Sequence, residues 1–148
     1  MFKILAYFLL VTLALCCPAQ AREEIAGPVI AEIIRVVDGD TILVEARPWP
    51  QQKIEVFVRI RGIDAPEIHS RCSNIRAGGA EARWALETMA SSSPHVALTH
   101  ISGDKYFGRI VADVTLSDGR NMGGDLLLAG LVQPYDGGRK SVPHCDPD

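Results

Sequence analysis

The sequence predicts a mainly β fold with helices (α+β): a five-stranded Greek-key barrel carrying one main helix and one short helix. Three observations predict it. Five stretches are β-rich or strictly alternating, turn signals separate them at close spacing, and a single alanine-rich run stands between the third and fourth. Short strands with such close turns favour a closed barrel of the OB type over a sandwich.

Residues 1–21 stand apart from the rest. They hold a cationic start at Lys3, an apolar run over 4–17 and the small-residue ending AQA, the layout of a secretory signal peptide cleaved before Arg22. The apolar run of about 14 residues is short of the roughly 20 that span a bilayer. A lipid-modified N-terminus at Cys16 or Cys17 fits poorly, because Leu15 stands where such signals want a small residue. Export to the periplasm or the medium is expected, with no stable membrane association once the leader is gone. Residues 22–148 show no repeat, low-complexity tract or linker and read as one domain, expected to be monomeric.

Leader removal takes one of the 15 basic residues and leaves 14 against 18 acidic, a net charge of −4. That balance excludes a polycation gripping nucleic acid over its whole surface. Any such contact needs a local cluster of arginine and lysine, or a metal. Cys72 and Cys145 are then the two cysteines of an exported chain. They invite a disulfide between the loop after the third strand and the C-terminal tail, the alternative being two unrelated thiols. Closing so long a loop would contribute about 4 kcal/mol on a chain-entropy estimate.

The elements follow in order. Residues 29–37 (VIAEIIRVV) form a strand ending at the turn Asp38-Gly39-Asp40, and residues 41–46 form the second strand. Residues 53–61 (KIEVFVRIR) alternate strictly, with Ile54, Val56, Val58 and Ile60 on one face and Phe57, Arg59 and Arg61 on the other. Residues 62–74 read as irregular loop. Residues 77–90 form the main helix, with Ala80, Trp84 and Met89 or Leu86 expected inward, and SSSP ends it. Residues 96–101 and 109–116 are a further strand pair, residues 124–130 a short helix, and a glycine- and proline-rich tail follows.

Three polar clusters carry candidate chemistry: Asp38-Gly39-Asp40-Thr41; Arg59 with Asp64-Ala65-Pro66-Glu67; and Asp104-Lys105-Tyr106-Phe107-Gly108-Arg109. Each alone reads as a turn, an ion-pair cluster or a polar hairpin loop. Together they hold the parts of metal-assisted phosphodiester hydrolysis. Asp40 and Asp64 offer hard oxygens that suit Ca²⁺ or Mg²⁺, Glu67 could orient or deprotonate a water, and Arg59 and Arg109 have the forked geometry that fits a phosphate. His69 has no second His or Cys at ligand spacing, which argues against zinc. Trp49 and Phe57 fit core or rim packing better than base stacking.

In this order and spacing, VVDGDTI (36–42), RIRGIDAPE (59–67) and DKYFGR (104–109) resemble the staphylococcal nuclease family over roughly residues 29–135. The resemblance implies an OB-fold barrel with a Ca²⁺-dependent site cutting DNA and RNA to 3′-phosphate and 5′-hydroxyl ends. It implies Asp40, Asp64 and the main-chain carbonyl of Ala65 as calcium ligands, and Asp38 as an acid in the metal's surroundings. It further implies Glu67 as general base and Arg59 and Arg109 as phosphate-binding arginines. Lys105 and Tyr106 match residues that contact a terminal phosphate, and Tyr135 a tyrosine that packs on the base.

Four departures accompany the likeness. Ala65 stands where the family usually has threonine, Phe107 is an extra residue in the turn, the long C-terminal helix is missing, and the chain is acidic. Nucleic-acid affinity should therefore be modest, salt-sensitive and metal-dependent. Two other readings remain open: a non-catalytic OB-fold module binding nucleic acid or protein, and a secreted structural domain stabilised by calcium.

Overall fold

Strand by strand, the period-two alternation meets a partner. The structure is a computed structural model that describes residues 23–141, 144 and 145; the expected leader lies outside the described residues. The strands are β1 (Glu24–Ile25), β2 (Val29–Val36), β3 (Thr41–Arg47), β4 (Ile54–Ile60), β5 (Ile63–Asp64), β6 (His95–Gly103), β7 (Arg109–Leu116) and β8 (Gln133–Pro134). The helices are α1 (Ser73–Ser92) and α2 (Met122–Leu128). The hydrogen-bonded order β6–β2–β3–β4–β7 closes because β7 also pairs with β6, giving a five-stranded barrel in which only the β4–β7 contact is parallel. β1 adds two residues to one end of β6. Closure removes the open strand edges a sheet of this size would otherwise present.

The barrel interior is filled by the alternating residues of each strand. Ile42, Val44, Val58, Ile60, Leu98 and Val114 are fully buried, with Ile63, Leu86, Met122 and Leu126 joining them from outside the barrel strands. Ile54 is an exception, exposed where β4 leaves the turn.

The main helix differs most from expectation. It starts at Ser73, and its buried residues are Gly79, Ala82 and Leu86, whereas Ala80 and Trp84 face solvent, Trp84 being 68% exposed. The physical reason is close docking by small residues. A Cβ on Gly79 would lie 2.5 Å from the Pro66 carbonyl oxygen, and one on Gly39 would lie 2.8 Å from the Ala82 Cβ and 2.7 Å from the Ala65 Cβ. Bulk-weighted periodicity selects Trp84 and so sets the wrong phase. The early start was invisible because Cys72 stands at the N-cap without a side-chain capping bond. The short helix also starts earlier, at Met122, where the Asn121 side chain accepts from the Gly124 amide at 2.8 Å.

Residues 63–64, read as loop, form β5 and pair with β8, Ile63 opposite Pro134 and Asp64 opposite Gln133. The Tyr135 amide then donates to the Gly62 carbonyl at 2.9 Å. A disulfide joins Cys72 to Cys145 with 5.6 Å between their Cα atoms. The tail is thereby held along the loop that carries the acidic residues. Among the described residues no helix is long and apolar enough to cross a membrane.

Candidate active site

One turn and two strands build the site. The turn after β2 presents Asp40, whose amide donates to Asp38 Oδ1 at 3.1 Å and whose carbonyl accepts from the Ile60 amide at 2.9 Å. That second bond ties the turn to the end of β4. β4 supplies Arg59, placed opposite Thr41 in the register. β5 supplies Asp64, held by its pairing with β8. The small contacts of Gly39, Ala65 and Ala82 press these pieces together.

Arg59 is the centre of the arrangement. Its Nη1 donates to Asp40 Oδ1 at 3.0 Å, and its Nη2 donates to Asp64 Oδ1 at 2.7 Å and to the Ile63 carbonyl at 3.3 Å. One guanidinium thus gathers both acids, with side-chain exposures of only 12% for Arg59, 5% for Asp40 and 14% for Asp64. The Ala65 amide donates to Asp40 Oδ2 at 3.0 Å and the Thr41 hydroxyl to Asp40 Oδ1 at 2.9 Å. Burial pushes the Asp40 carboxyl above the usual carboxylate range, against the pull of the Ala65 amide and Arg59. Burial also works against the Arg59 charge, but Asp40 and Asp64 outweigh it and hold the guanidinium protonated.

Lys140, which no motif singled out, completes the cluster. Its ammonium lies 2.7 Å from Asp64 Oδ1 and 3.5 Å from Glu67 Oε1. Burial opposes its charge, yet Asp64 raises its pKa on balance. The one signal that could have located it is Cys145, five residues on, whose disulfide holds the tail here. The Tyr135 ring lies 5.4 Å beneath the Arg59 guanidinium. A cleft of about 450 Å³ opens beside Asp64 and is lined in part by Tyr135 and Arg139.

Asp40, Asp64, Ala65, Arg59, Glu67 and Tyr135 are therefore drawn into one cluster. Arg61, adjacent in sequence to this set, is not: its Nη2 donates to the His100 carbonyl at 2.5 Å and to Ser102 Oγ at 2.9 Å, bracing a bulge in β6. Arg109, Lys105 and Tyr106 form a second cluster. Arg109 Nε pairs with Asp104, its guanidinium lies 4.8 Å from the Tyr106 ring, and the Lys105 ammonium lies 5.0 Å from the same ring. Phe107, the extra residue of the turn, projects fully into solvent. The register joins the clusters, since Arg109 stands opposite Phe57, two residues before Arg59 on β4. Trp49 and Phe57 are exposed, which leaves the rim alternative and not the core one of the packing expected of them.

A family model described as staphylococcal nuclease homologue matches residues 57–144, more than half of the chain. The chain belongs to the staphylococcal nuclease homologue family. The match spans Arg59, Asp64, Ala65, Glu67, Arg109 and Tyr135, while Asp38 and Asp40 precede it and are brought to it by the barrel. No curated protein matches the chain. Membership in this nuclease family points to nucleic acid as the class of substrate.

The donor set is hard oxygen. Among the described residues, no three His, Cys, Asp or Glu side chains are grouped closely enough to hold a metal ion. A cation here would rest on two carboxylates, a main-chain carbonyl and water, a donor set that suits calcium or magnesium and not zinc.

Proposed function

We propose that this family member is an exported, calcium-dependent nuclease that hydrolyses phosphodiester bonds of DNA and RNA with low sequence specificity, leaving 3′-phosphate and 5′-hydroxyl ends. The observation that carries the reading is the Arg59 fork, which gathers Asp40 and Asp64, the latter lining the cleft. Asp40 is buried and Asp64 part-buried on that single guanidinium. Asp40 and Asp64 pair with Arg59, and Asp64 and Glu67 pair with Lys140, so the carboxylates outnumber the cations they meet.

Asp40, Asp64 and the Ala65 carbonyl would hold Ca²⁺. When bound, the ion supplies Lewis-acid stabilisation of charge on a phosphate oxygen. The remaining work falls to the chain's own groups. Glu67, exposed at the mouth of the site, accepts the proton of the attacking water. Arg59 has five N–H donors, of which Asp40, Asp64 and the Ile63 carbonyl take three. The others are available to a phosphate oxygen as charge builds on it. Arg109 meets the substrate from the adjoining strand, and Tyr135 offers its ring to a base. The protein acts as a monomer, with no stable membrane association once the leader is removed.

The test is to incubate the mature chain with single-stranded DNA and with RNA, first in Ca²⁺ and then with chelator added. Cleavage in Ca²⁺ that chelation stops is the expected result. Intact substrate under both conditions removes the catalytic reading and leaves a binding module.

A further inference from the structure

The outer face of the barrel carries a row of side chains of which the chemistry above uses only Arg109. The register places Arg35 opposite Leu43, Leu43 opposite Phe57 and Phe57 opposite Arg109, so the four stand side by side across β2, β3, β4 and β7. Directly opposed residues point to the same face, and here that face is the outer one, because Ile42, Val44 and Val58 between them are buried. Arg35 reaches this face only because of a bulge. Regular alternation from Ile33, which packs on the core, would turn Arg35 inward; the register shift between Ile33 and Arg35 makes Ile34 the extra residue and returns Val36 to the interior.

The row has the character of a stacking platform. Phe57 is 37% exposed, with the Arg35 guanidinium 5.8 Å from its ring. Leu43 is half-buried beside it. At the far end, Arg109 and Lys105 flank the exposed Tyr106 ring. Alternating cations and rings on one surface fit a strand that offers phosphates and bases in turn.

Position along the strands sets the reach. Arg59 lies on the same face two residues further on, an advance of about 7 Å, close to one nucleotide of an extended strand. In the other direction the next row is Glu32, Glu45 and Glu55, opposed to one another in the register. Lys53 and Arg47 pair with Glu45 in that row, and Glu32 and Glu55 leave it without the rings and free cations of the platform.

We propose that Phe57 and Arg35 form a subsite for the nucleotide adjoining the cleaved phosphate, Phe57 stacking its base and Arg35 pairing its phosphate on an extended single strand. The proposal rests on the nuclease reading for what occupies the neighbouring site. Its test separates the two. Fluorescence anisotropy of a labelled pentathymidylate in chelator reads binding without turnover, and calcium added to the same samples reads cleavage. Phe57→Ala should raise Kd about tenfold, within the range for loss of one stacked base, while Phe57→Tyr should hold near wild type. Arg35→Ala should lower the slope of log K against log salt by about 0.7, the value for one phosphate contact on a single strand. Phe57→Ala should leave that slope unchanged. Both side chains are exposed, so melting temperatures should stay near wild type. Binding that responds as stated without any cleavage supports the subsite and removes the nuclease reading. Cleavage with Kd and slope unchanged in both alanine variants, or, where chelator abolishes binding, a KM for cleavage unchanged in Phe57→Ala, overturns the subsite.

Discussion

Replacing Arg59 by alanine strands two carboxylates in a site where they are 5% and 14% exposed. Removing one partner of a buried pair costs about 3–5 kcal/mol, because the remaining charge keeps its desolvation without its partner. Here the loss falls at the lower end. Asp40 keeps the Ala65 amide and the Thr41 hydroxyl, and Asp64 keeps Lys140. About 3 kcal/mol in a domain of this size corresponds to a fall in Tm of roughly 10 °C. The same change should lower turnover by about 10²- to 10³-fold through loss of phosphate stabilisation. The discriminating measurement is thermal unfolding with and without Ca²⁺. If Asp40 and Asp64 share the ion, calcium neutralises the stranded acids and raises the Tm of Arg59→Ala by more than it raises that of the wild type. An equal calcium response in the two proteins, or a loss under about 1 kcal/mol, refutes the shared-carboxylate geometry.

Glu67→Gln should lower turnover by at least about 10²-fold while leaving Tm within a degree or so, because the side chain is exposed; near-normal rates would reject its role as base. Lys140→Met should strengthen calcium binding several-fold by calorimetry, since its ammonium lies on Asp64 and Glu67, and weaker or unchanged binding would show that it does not compete for them. Gly79→Ala would ordinarily stabilise a helix by up to about 1 kcal/mol. Here its Cβ meets the Pro66 carbonyl at 2.5 Å, so Tm and activity should both fall, with about 1–3 kcal/mol lost; a raised Tm contradicts the close docking. Calcium binds the carboxylate and not the acid, so affinity holds above the Asp40 pKa and is lost as pH falls through it. Burial raises that pKa above the ordinary 3.8, and the loss should therefore begin at a higher pH than for an exposed aspartate; an onset no higher than that of an exposed aspartate opposes the assignment.

Period-two alternation made β4 legible before any coordinates: Val58 and Ile60 are buried and Phe57 and Arg59 lie opposite, because backbone pleating ties parity to face. That Asp40, Arg59 and Asp64 meet was open to expectation from residue types and spacing, which are local properties of the chain. The helix phase was not, because docking through Gly79 and Ala82 depends on what the helix packs against and leaves no bulky periodic signal.

The sequence by itself therefore determined the fold class and the five barrel strands, and it proposed a list of residues for the chemistry. Tertiary structure alone decided their partnerships. Arg59 and Arg61 look alike in sequence, yet one grips Asp40 and Asp64 while the other braces β6. Lys140 reaches Asp64 only because the tail folds back, and Arg35 turns outward only because β2 bulges. Such contacts join residues far apart in the chain, and their distances are set by packing, which no local spacing encodes.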